Sequence, residues 1–243
     1  MKISQNKIII TGASDGIGKA LTLKLLSLDN EIIAVGRSQE KLNHLAQFDS
    51  RIIPFVCDIS QDEELNKLVN FIEQNHRDAN ILINNAGIQY NYDFSTETDI
   101  ISKIEHEIAT NLTAPIKLLA RLKPTLEANP NAAVVNVSSG LGIVPKKQAP
   151  IYCGTKAGLH IFTKAFRYQS DRLKVFEIIP PLVDTAMTHG RGSGKISPEA
   201  LADEFIEAFK KDKYEINIGK VKLLRIINRI APKIADLIMK NGL

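Results

Sequence analysis

The sequence has no tryptophan and only two cysteines, Cys57 and Cys153, among its 243 residues. The two cysteines match neither a metal-binding spacing nor a disulfide framework, so no metal site is predicted and a reduced, cytoplasmic setting is expected. Long apolar runs are missing as well, since no stretch approaches the roughly 20 residues that span a bilayer. The segment before the first predicted strand lacks the apolar core of a signal peptide. We therefore expect neither export nor membrane insertion.

A strong charge imbalance is also missing. The net charge is +4, and the basic residues are scattered until the last stretch of the chain. This distribution gives no reason to expect a nucleic-acid partner. Apolar residues make up 44% of the chain and charged residues 24%, which is ordinary for a globular protein and excludes wholesale disorder.

The sequence does contain a regular alternation of short apolar runs and longer helical patterns. Several runs are apolar at nearly every position, as in parallel strands that helices cover on both faces. The predicted strands are Lys7–Thr11, Glu31–Val35, Ile52–Val56, Asn80–Ile83, Ala132–Val137, Val175–Ile179 and Tyr214–Ile218. The predicted helices are Gly16–Leu28, Gln39–Gln47, Asp62–His76, Glu97–Leu126, Ile151–Ser170 and Pro198–Lys211. This alternation predicts an α/β fold with a Rossmann-type, doubly wound, mainly parallel seven-stranded sheet flanked by helices.

A glycine-rich turn, Thr11–Gly18, follows the first predicted strand and opens the first predicted helix. Glycines let the backbone approach a pyrophosphate, and the helix N-terminus offers unpaired N–H groups to the phosphates. An ordinary tight turn is the alternative, but the position at the first strand–helix junction is the one that nucleotide binding requires. We expect these residues of the turn to bind a dinucleotide: Gly12, Ser14, Asp15, Gly16, Ile17 and Gly18.

The end of the second predicted strand bears on the choice of cofactor. An NAD site usually has an acidic residue here, whereas the 2′-phosphate of NADP calls for an arginine. This sequence has Arg37 after Gly36 and no carboxylate at the strand tip. A guanidinium can bind a phosphate through two hydrogen bonds, so NADP(H) is favoured over NAD(H). Asp15 argues against this choice because it adds negative charge nearby, and a solvated surface arginine is the alternative reading of Arg37.

Three further motifs follow later strands. They are Asn84-Asn85-Ala86-Gly87, Ser138-Ser139-Gly140 and, thirteen residues beyond Ser139, Tyr152-Cys153-Gly154-Thr155-Lys156. Together with the glycine turn, they resemble the short-chain dehydrogenase/reductase family over roughly residues 5–220. Within that family, the sequence segments NNAGIQ, SSGLG, YCGTKAGLH and PPLVDT are similar to the DltE-like branch. The resemblance implies an oxidoreductase that interconverts a small carbonyl compound and an alcohol with a nicotinamide cofactor. It implies no particular substrate.

The catalytic residues come from the same motifs. Tyr152 and Lys156 are four residues apart and share a helix face. A free tyrosine has a pKa of about 10, which a nearby ammonium and the positive ring of the oxidised cofactor are expected to lower. The resemblance implies that Ser139 binds the substrate carbonyl, with Ser138 as the runner-up. It also implies that Asn111 lies at a helix distortion and holds a water linked to the lysine, although a surface asparagine capping a helix is the alternative.

The resemblance implies further cofactor contacts. Besides Tyr152 and Lys156, the expected residues are Asp58 and Ile59 at the adenine, Asn85, Ala86 and Gly87 at the adenosine ribose and beneath the nicotinamide, and Val183 and Thr185 near the nicotinamide end. Pro181 stands where most relatives have glycine, which stiffens this turn. The glycine-rich segment His189–Lys195 is expected to be mobile and to lie over the site.

The sequence after Gly219 departs from the usual ending of the family. We therefore divide the chain into a catalytic domain, residues 1–219, and a basic amphipathic tail, residues 220–243. Apolar residues recur in the tail at near-helical spacing, and Pro232 is expected to break the helix. Packing of the tail on its own domain or on a second subunit is favoured, because the tail lacks aromatic anchors; contact with an anionic membrane surface is the alternative.

Two other functions remain open at this stage. One is a nucleotide-binding sensor or scaffold without catalytic activity, which is disfavoured because the Ser–Tyr–Lys set is complete. The other is a reductase tethered at the membrane surface that acts on a lipid-derived substrate. The resemblance also implies a homodimer formed through the helices that contain Asn111–Leu126 and Ile151–Ser170, where Gly154, Ala157 and Gly158 permit close packing.

Overall fold

The computed structural model describes residues 1–240 and contains a seven-stranded, fully parallel sheet. The strands are β1 Lys7–Thr11, β2 Glu31–Gly36, β3 Ile52–Val56, β4 Ile81–Asn84, β5 Ala133–Val137, β6 Lys174–Ile179 and β7 Glu215–Asn217. Their order is β3-β2-β1-β4-β5-β6-β7, and each adjacent pair is parallel. The predicted Rossmann-type, doubly wound fold is confirmed.

Helices cover both faces of the sheet. They are α1 Gly16–Leu26, α2 Gln39–Ala46, α3 Asp62–Asn75, α4 Ile100–Ile108, α5 Ala114–Glu127, α6 Pro150–Arg167, α7 Pro198–Lys210, α8 Val221–Ile230 and α9 Pro232–Met239. Side chains alternate across the sheet, so Ile8 and Ile10 of β1 pack against α1 and α7 while Ile9 packs against α3 and α5. The two cores lie on opposite faces of one sheet.

The order of the strands reverses direction between β1 and β4: β2 and β3 lie on one side of this point, and β5, β6 and β7 lie on the other. In such a sheet, ligands bind in the crevice at the carboxyl ends of the strands on either side of the reversal. The Thr11 hydroxyl joins these two ends, because it accepts hydrogen bonds from the backbone N–H groups of Asn85 at 3.0 Å and Ala86 at 3.1 Å. The fold therefore places the glycine turn and the Asn84–Gly87 motif side by side.

The predicted helix Glu97–Leu126 is wrong as a single element. The structure has α4 from Ile100, a π-helical turn over Ala109–Thr113, and then α5. Pro115 explains the interruption, because it lacks the N–H that would bond the Asn111 carbonyl in a regular α-helix. The other predicted elements differ from the observed ones only at their ends.

The described part of the tail forms α8 and α9, which meet at Ala231–Pro232. An inner apolar face packs on the domain through a cluster of Val144, Ala235 and Met239. The backbone N–H of Lys147 also donates to the Lys240 carbonyl at 3.0 Å. The outer face leaves apolar side chains in solvent, such as Ile230, which is 78% exposed. Residues 241–243, the end of the predicted tail, lie outside the described residues. None of the helices between residues 1 and 240 has the length and apolar character needed to cross a bilayer.

Candidate active site

A cavity of about 790 Å³ lies at the carboxyl ends of the strands, a volume in the range of ligand sites. Sixteen of the predicted site residues line it: Gly12, Ser14, Asp15, Gly16, Ile17, Arg37, Asp58, Ile59, Asn85, Ala86, Gly87, Ser139, Tyr152, Lys156, Val183 and Thr185. Two predicted residues, Gly18 and Asn111, do not line the cavity and lie behind its wall. The structure thus brings the glycine turn and the Ser–Tyr–Lys set into one cavity.

The glycine turn has the bare backbone that a dinucleotide needs. Gly12 and Gly16 have positive φ angles of 65° and 48°, which side-chain-bearing residues rarely adopt. A Cβ on Gly16 would lie only 2.9 Å from Cγ2 of Thr185 across the cavity. A Cβ on Gly18 would lie 1.9 Å from the Gly12 carbonyl oxygen, so Gly18 permits the packing of α1 on the turn. The turn and the N-terminus of α1 therefore fit a pyrophosphate.

The charge of Asp15 is paired. Its carboxylate caps α1 by accepting a hydrogen bond from the Gly16 N–H at 2.7 Å, and it forms an ion pair with Lys41. The Lys41 ammonium is the main reason that the pKa of Asp15 is lowered. Arg37 is exposed at the end of β2, where Ser38 caps α2 by accepting from the Lys41 N–H. The negative charge of Asp15, which would repel a 2′-phosphate, is thus offset by the two basic residues Arg37 and Lys41.

The catalytic candidates converge on α6 and the end of β5. The Lys156 ammonium lies 5.8 Å from the centroid of the Tyr152 ring and donates to the Val137 carbonyl at 2.8 Å. Of the two adjacent serines, Ser138 donates to the carboxylate of Glu177 at 2.5 Å. The Ser139 hydroxyl instead accepts a hydrogen bond from the Leu141 N–H at 3.1 Å and is close enough to Tyr152 to favour a lower pKa of the phenol. Both serines line the cavity, but the Ser138 hydroxyl is hydrogen-bonded to Glu177 and Ser139 is the one that influences Tyr152.

Burial governs the pKa values of the two central groups. It raises the pKa of Tyr152 to about 12, against the opposing influence of the Ser139 hydroxyl and the Arg191 charge. Burial also lowers the pKa of Lys156 to about 8, and the negative charge of Glu177 opposes that shift. The lowered tyrosine pKa expected from the sequence is therefore not produced by the protein groups alone. At neutral pH this phenol holds its proton.

Asn111 lies in the π-helical turn and is fully buried. Its side-chain amide bonds both backbone groups of Ile88, with the Ile88 N–H at 2.8 Å and the Ile88 carbonyl at 2.8 Å. A Cβ on Gly87 would be 3.2 Å from Asn111 Oδ1 and 3.4 Å from Lys156 Nζ. The alternative of a surface helix cap is wrong, because Asn111 lies inside the protein next to the lysine.

A buried polar cluster around Ser138 was not predicted. Glu177 in β6 is fully buried, and its carboxylate oxygens accept from Ser138 and lie 2.8 and 2.9 Å from Nδ1 of His160. Glu215 in β7 completes the cluster and pairs with Arg225 of α8. The signal for this cluster in the sequence was the carboxylate of Glu177 within a predicted buried strand. The sequence does not show which residues surround that carboxylate.

The cavity contains further lining residues that sequence reasoning missed. Three of them are cations: Lys146, Arg191 and Lys220. Nη1 of Arg191 is buried and has no hydrogen-bond partner among residues 1–240. Arg191 belongs to the glycine-rich segment predicted to lie over the site, and that segment does form part of the cavity wall. Its mobility stays a prediction. Side chains of the tail helices α8 and α9 also line the cavity.

Comparisons with known proteins agree with these observations. The model of the short chain dehydrogenase family matches residues 6–195. The oxidoreductase DltE of Bacillus subtilis strain 168 is 36% identical over 237 residues, which cover 94% of each chain. The chain belongs to the short-chain dehydrogenase family. Within that family it is a DltE-like member, as the motif wording predicted.

Solved short-chain dehydrogenases share the fold of this DltE-like member. A Burkholderia cenocepacia enzyme in complex with NADP has a TM-score of 0.86 at 23% identity and covers 96% of this chain and 97% of its own. A Sphingobium yanoikuyae enzyme in complex with NADPH has a TM-score of 0.81 at 22% identity, with coverages of 95% and 96%. A Burkholderia phymatum enzyme in complex with NAD has a TM-score of 0.83 at 17% identity, with coverages of 100% and 98%.

Proposed function

We propose that this short-chain dehydrogenase interconverts a carbonyl compound and an alcohol with NADP(H), and that Tyr152 transfers the proton. The observation that carries the proposal is the convergence of Ser139, Tyr152 and Lys156 in the cavity that also contains the glycine turn. A hydroxyl, a phenol and an ammonium at the nicotinamide end of a dinucleotide site are suited to stabilise and protonate a nascent alkoxide.

Each of these groups has one role. When bound, a nicotinamide cofactor would supply or accept the hydride. Ser139 donates a hydrogen bond to the substrate oxygen, and Tyr152 gives that oxygen its proton during reduction. A pKa of about 12 keeps the phenol protonated and ready to donate at neutral pH. Lys156 binds the nicotinamide ribose, and its charge favours the phenolate that the proton transfer leaves.

Asn111 acts behind this set as a positioning residue. Its amide holds the backbone of Ile88, next to Gly87, and so fixes the loop between the lysine and the nicotinamide position. A water held there would connect Lys156 to solvent. Asp58 and Ile59 would contact the adenine, and Val183 and Thr185 the nicotinamide end, since all four line the cavity.

The preference for NADP(H) is proposed from charge. Arg37 and Lys41 line the cavity where the adenine ribose would lie, and Asp15 is already paired with Lys41. Two of the structural relatives contain NADP or NADPH and a third contains NAD, so the fold alone accepts either. Comparison of NADPH with NADH in the assay below, for the native protein and for Arg37→Ala, addresses this choice.

The test is oxidation of NADPH, followed by absorbance, against a panel of ketones, diketones and aldehydes. We expect Tyr152→Phe to lower kcat by roughly 10²–10⁴-fold, because the proton donor is lost, while NADPH still binds. Tyr168→Phe is the matched control, since Tyr168 lies at the end of α6 with 82% of its surface exposed. Undiminished turnover by Tyr152→Phe would refute the mechanism.

The remaining expectations belong to the same proposal. Binding of NADPH without turnover of any carbonyl would instead support the sensor or scaffold function.

Cys57 and Cys153 are free and buried, in keeping with a reducing cytoplasm. The membrane-tethered form of the enzyme rests on the exposed apolar outer face of α8 and α9, next to Arg229 and Lys233. The inner face of these helices packs on the domain, so we favour the untethered enzyme with a small-molecule substrate.

A further inference from the structure

The cavity extends beyond the catalytic residues to a wall made by the tail. Six apolar side chains of α8 and α9 line it: Val221, Leu223, Leu224, Ile227, Ile238 and Met239. Leu141, Leu182 and Met187 line the cavity as well. These nine side chains are all aliphatic or thioether groups, and this wall contains no carboxylate.

The wall is fixed next to the catalytic serine. Leu224 and Ile227 pack on the cluster that contains Val144, and Leu141 belongs to the same cluster. A Cβ on Gly140, the residue after Ser139, would be in ordinary contact with Val221 at 3.4 Å. The wall therefore begins within one residue of the group that is proposed to bind the carbonyl oxygen.

Ion pairs hold the first tail helix on the domain. Lys222 binds Glu204 of α7 at 2.7 Å, and Arg225 pairs with Glu215 of β7. Each joins α8 to a different element of the domain, so the helix is held on two sides. The apolar wall is therefore a fixed part of the cavity. Of its side chains, Leu223 remains 60% exposed and Ile238 37% exposed, which leaves apolar surface for a ligand to cover.

We infer that the substrate is a carbonyl compound with an aliphatic body, and that this body lies along α8 and α9. The inference rests on the proposed function. A chain of methylene groups would remove the exposed apolar surface of the wall from water, which is favourable in proportion to the area covered. A polyhydroxylated carbonyl compound would lose hydrogen bonds to water along these nine apolar side chains, which offer no polar group in return. The three cations of the same cavity, Lys146, Arg191 and Lys220, could replace only the few hydrogen bonds that lie within their reach.

The test uses a series of straight-chain aldehydes of increasing length, with glyceraldehyde as the polar comparison. We expect kcat/KM to rise roughly three- to fourfold for each added methylene until the wall is covered, and to be lowest for glyceraldehyde. Ile227→Ser places a hydroxyl in the wall and should flatten this rise. Ile230→Ser is the matched control, since Ile230 lies about one turn further along α8, is 78% exposed and does not line the cavity. This variant should keep the slope of the native protein.

The outcomes separate this inference from the proposed function. Turnover of short or polar aldehydes with no rise along the series would overturn the aliphatic substrate and leave the oxidoreductase intact. A rise that is equally steep in Ile227→Ser and Ile230→Ser would overturn the placement along the tail. No turnover of any carbonyl would overturn the proposed function, and the substrate class with it. If Ile227→Ser does not fold, as judged by thermal unfolding, the series on the native protein still decides the substrate class.

Discussion

At the residue scale, the buried carboxylate of Glu177 favours the charged form of Lys156. Burial pulls the pKa of Lys156 down to about 8, and the Glu177 carboxylate is the influence that opposes it. Removal of that negative charge by Glu177→Gln should lower the Lys156 pKa further, so the ammonium would lose its proton at a lower pH. We expect the alkaline limb of the kcat/KM profile to move to lower pH, measured with NADPH and a fixed ketone.

Ser138→Ala is the control for this pH shift. It removes the hydrogen bond that Glu177 accepts at 2.5 Å but keeps the carboxylate charge. The alkaline limb of this variant should stay close to that of the native protein. An equal displacement in both variants would mean that packing around the strand end, and not charge, determines the profile.

Most of the predicted site residues line the cavity, because the motifs that carry the family resemblance are local in the chain and the fold brings them together at the ends of the strands. Gly12, Tyr152 and Lys156 are examples. Glu177 was not predictable, since its partner Ser138 lies 39 residues away and no motif joins the two. The rise that burial causes in the pKa of Tyr152 was also not predicted, because the spacing from Lys156 is visible in the sequence whereas the extent of burial is not.

At the element scale, the short helical segment Gly140–Gly142 lies between β5 and α6 with almost no spare room. A Cβ on Gly142 would be 2.8 Å from the Lys156 carbonyl carbon and 2.9 Å from the Ala157 nitrogen. Both are backbone atoms of α6 and cannot rotate away. Gly142→Ala should therefore lower the free energy of unfolding by about 1–3 kcal/mol, measured by chemical denaturation.

Gly140→Ala is the comparison within the same segment. Its nearest contact would be a side-chain atom of Val221 at the ordinary distance of 3.4 Å. Because this is an ordinary contact distance, we expect the free energy of unfolding to fall by less than it does in Gly142→Ala. Similar losses in the two variants would show that the segment tolerates neither side chain, and the close approach to α6 would not be the cause.

Elements with strong local patterns were predictable, and those that depend on packing were not. The seven strands were found because buried parallel strands are apolar at nearly every position. The helix distortion at Asn111 was expected from the resemblance, but its π-helical form over Ala109–Thr113 was not, since the apolar pattern continues through Pro115 as in a regular helix. The two helices of the tail followed from the spacing around Pro232, but their place at the cavity did not, because an amphipathic pattern does not specify which surface it covers.

At the scale of the whole molecule, the predicted homodimer stays a prediction with a definite surface. Ile161, Ala165 and Tyr168 are exposed at helical spacing on α6, and Ile161 is 61% exposed. Such a stripe suits a helix-to-helix contact between two copies. Ile161→Arg should convert a dimer to a monomer in analytical ultracentrifugation, because it places a charge in the contact.

Ile230→Arg is the control for this prediction. It introduces the same charge on the outer face of α8, at a side chain that is more exposed than Ile161. This variant should remain dimeric. A native protein that sediments as a monomer at micromolar concentration would refute the homodimer, and dissociation by Ile230→Arg alone would move the contact to the tail.

The position of the tail also limits how much of the substrate specificity can be predicted from family membership. The family match ends at residue 195, whereas α8 and α9, whose side chains line the cavity, begin at Val221. Under the proposed function, the segment that would contact the substrate body and the residues that would perform the reaction lie in different parts of the chain. Relatives with identical motifs up to residue 195 but different residues after Val221 are therefore expected to differ in substrate.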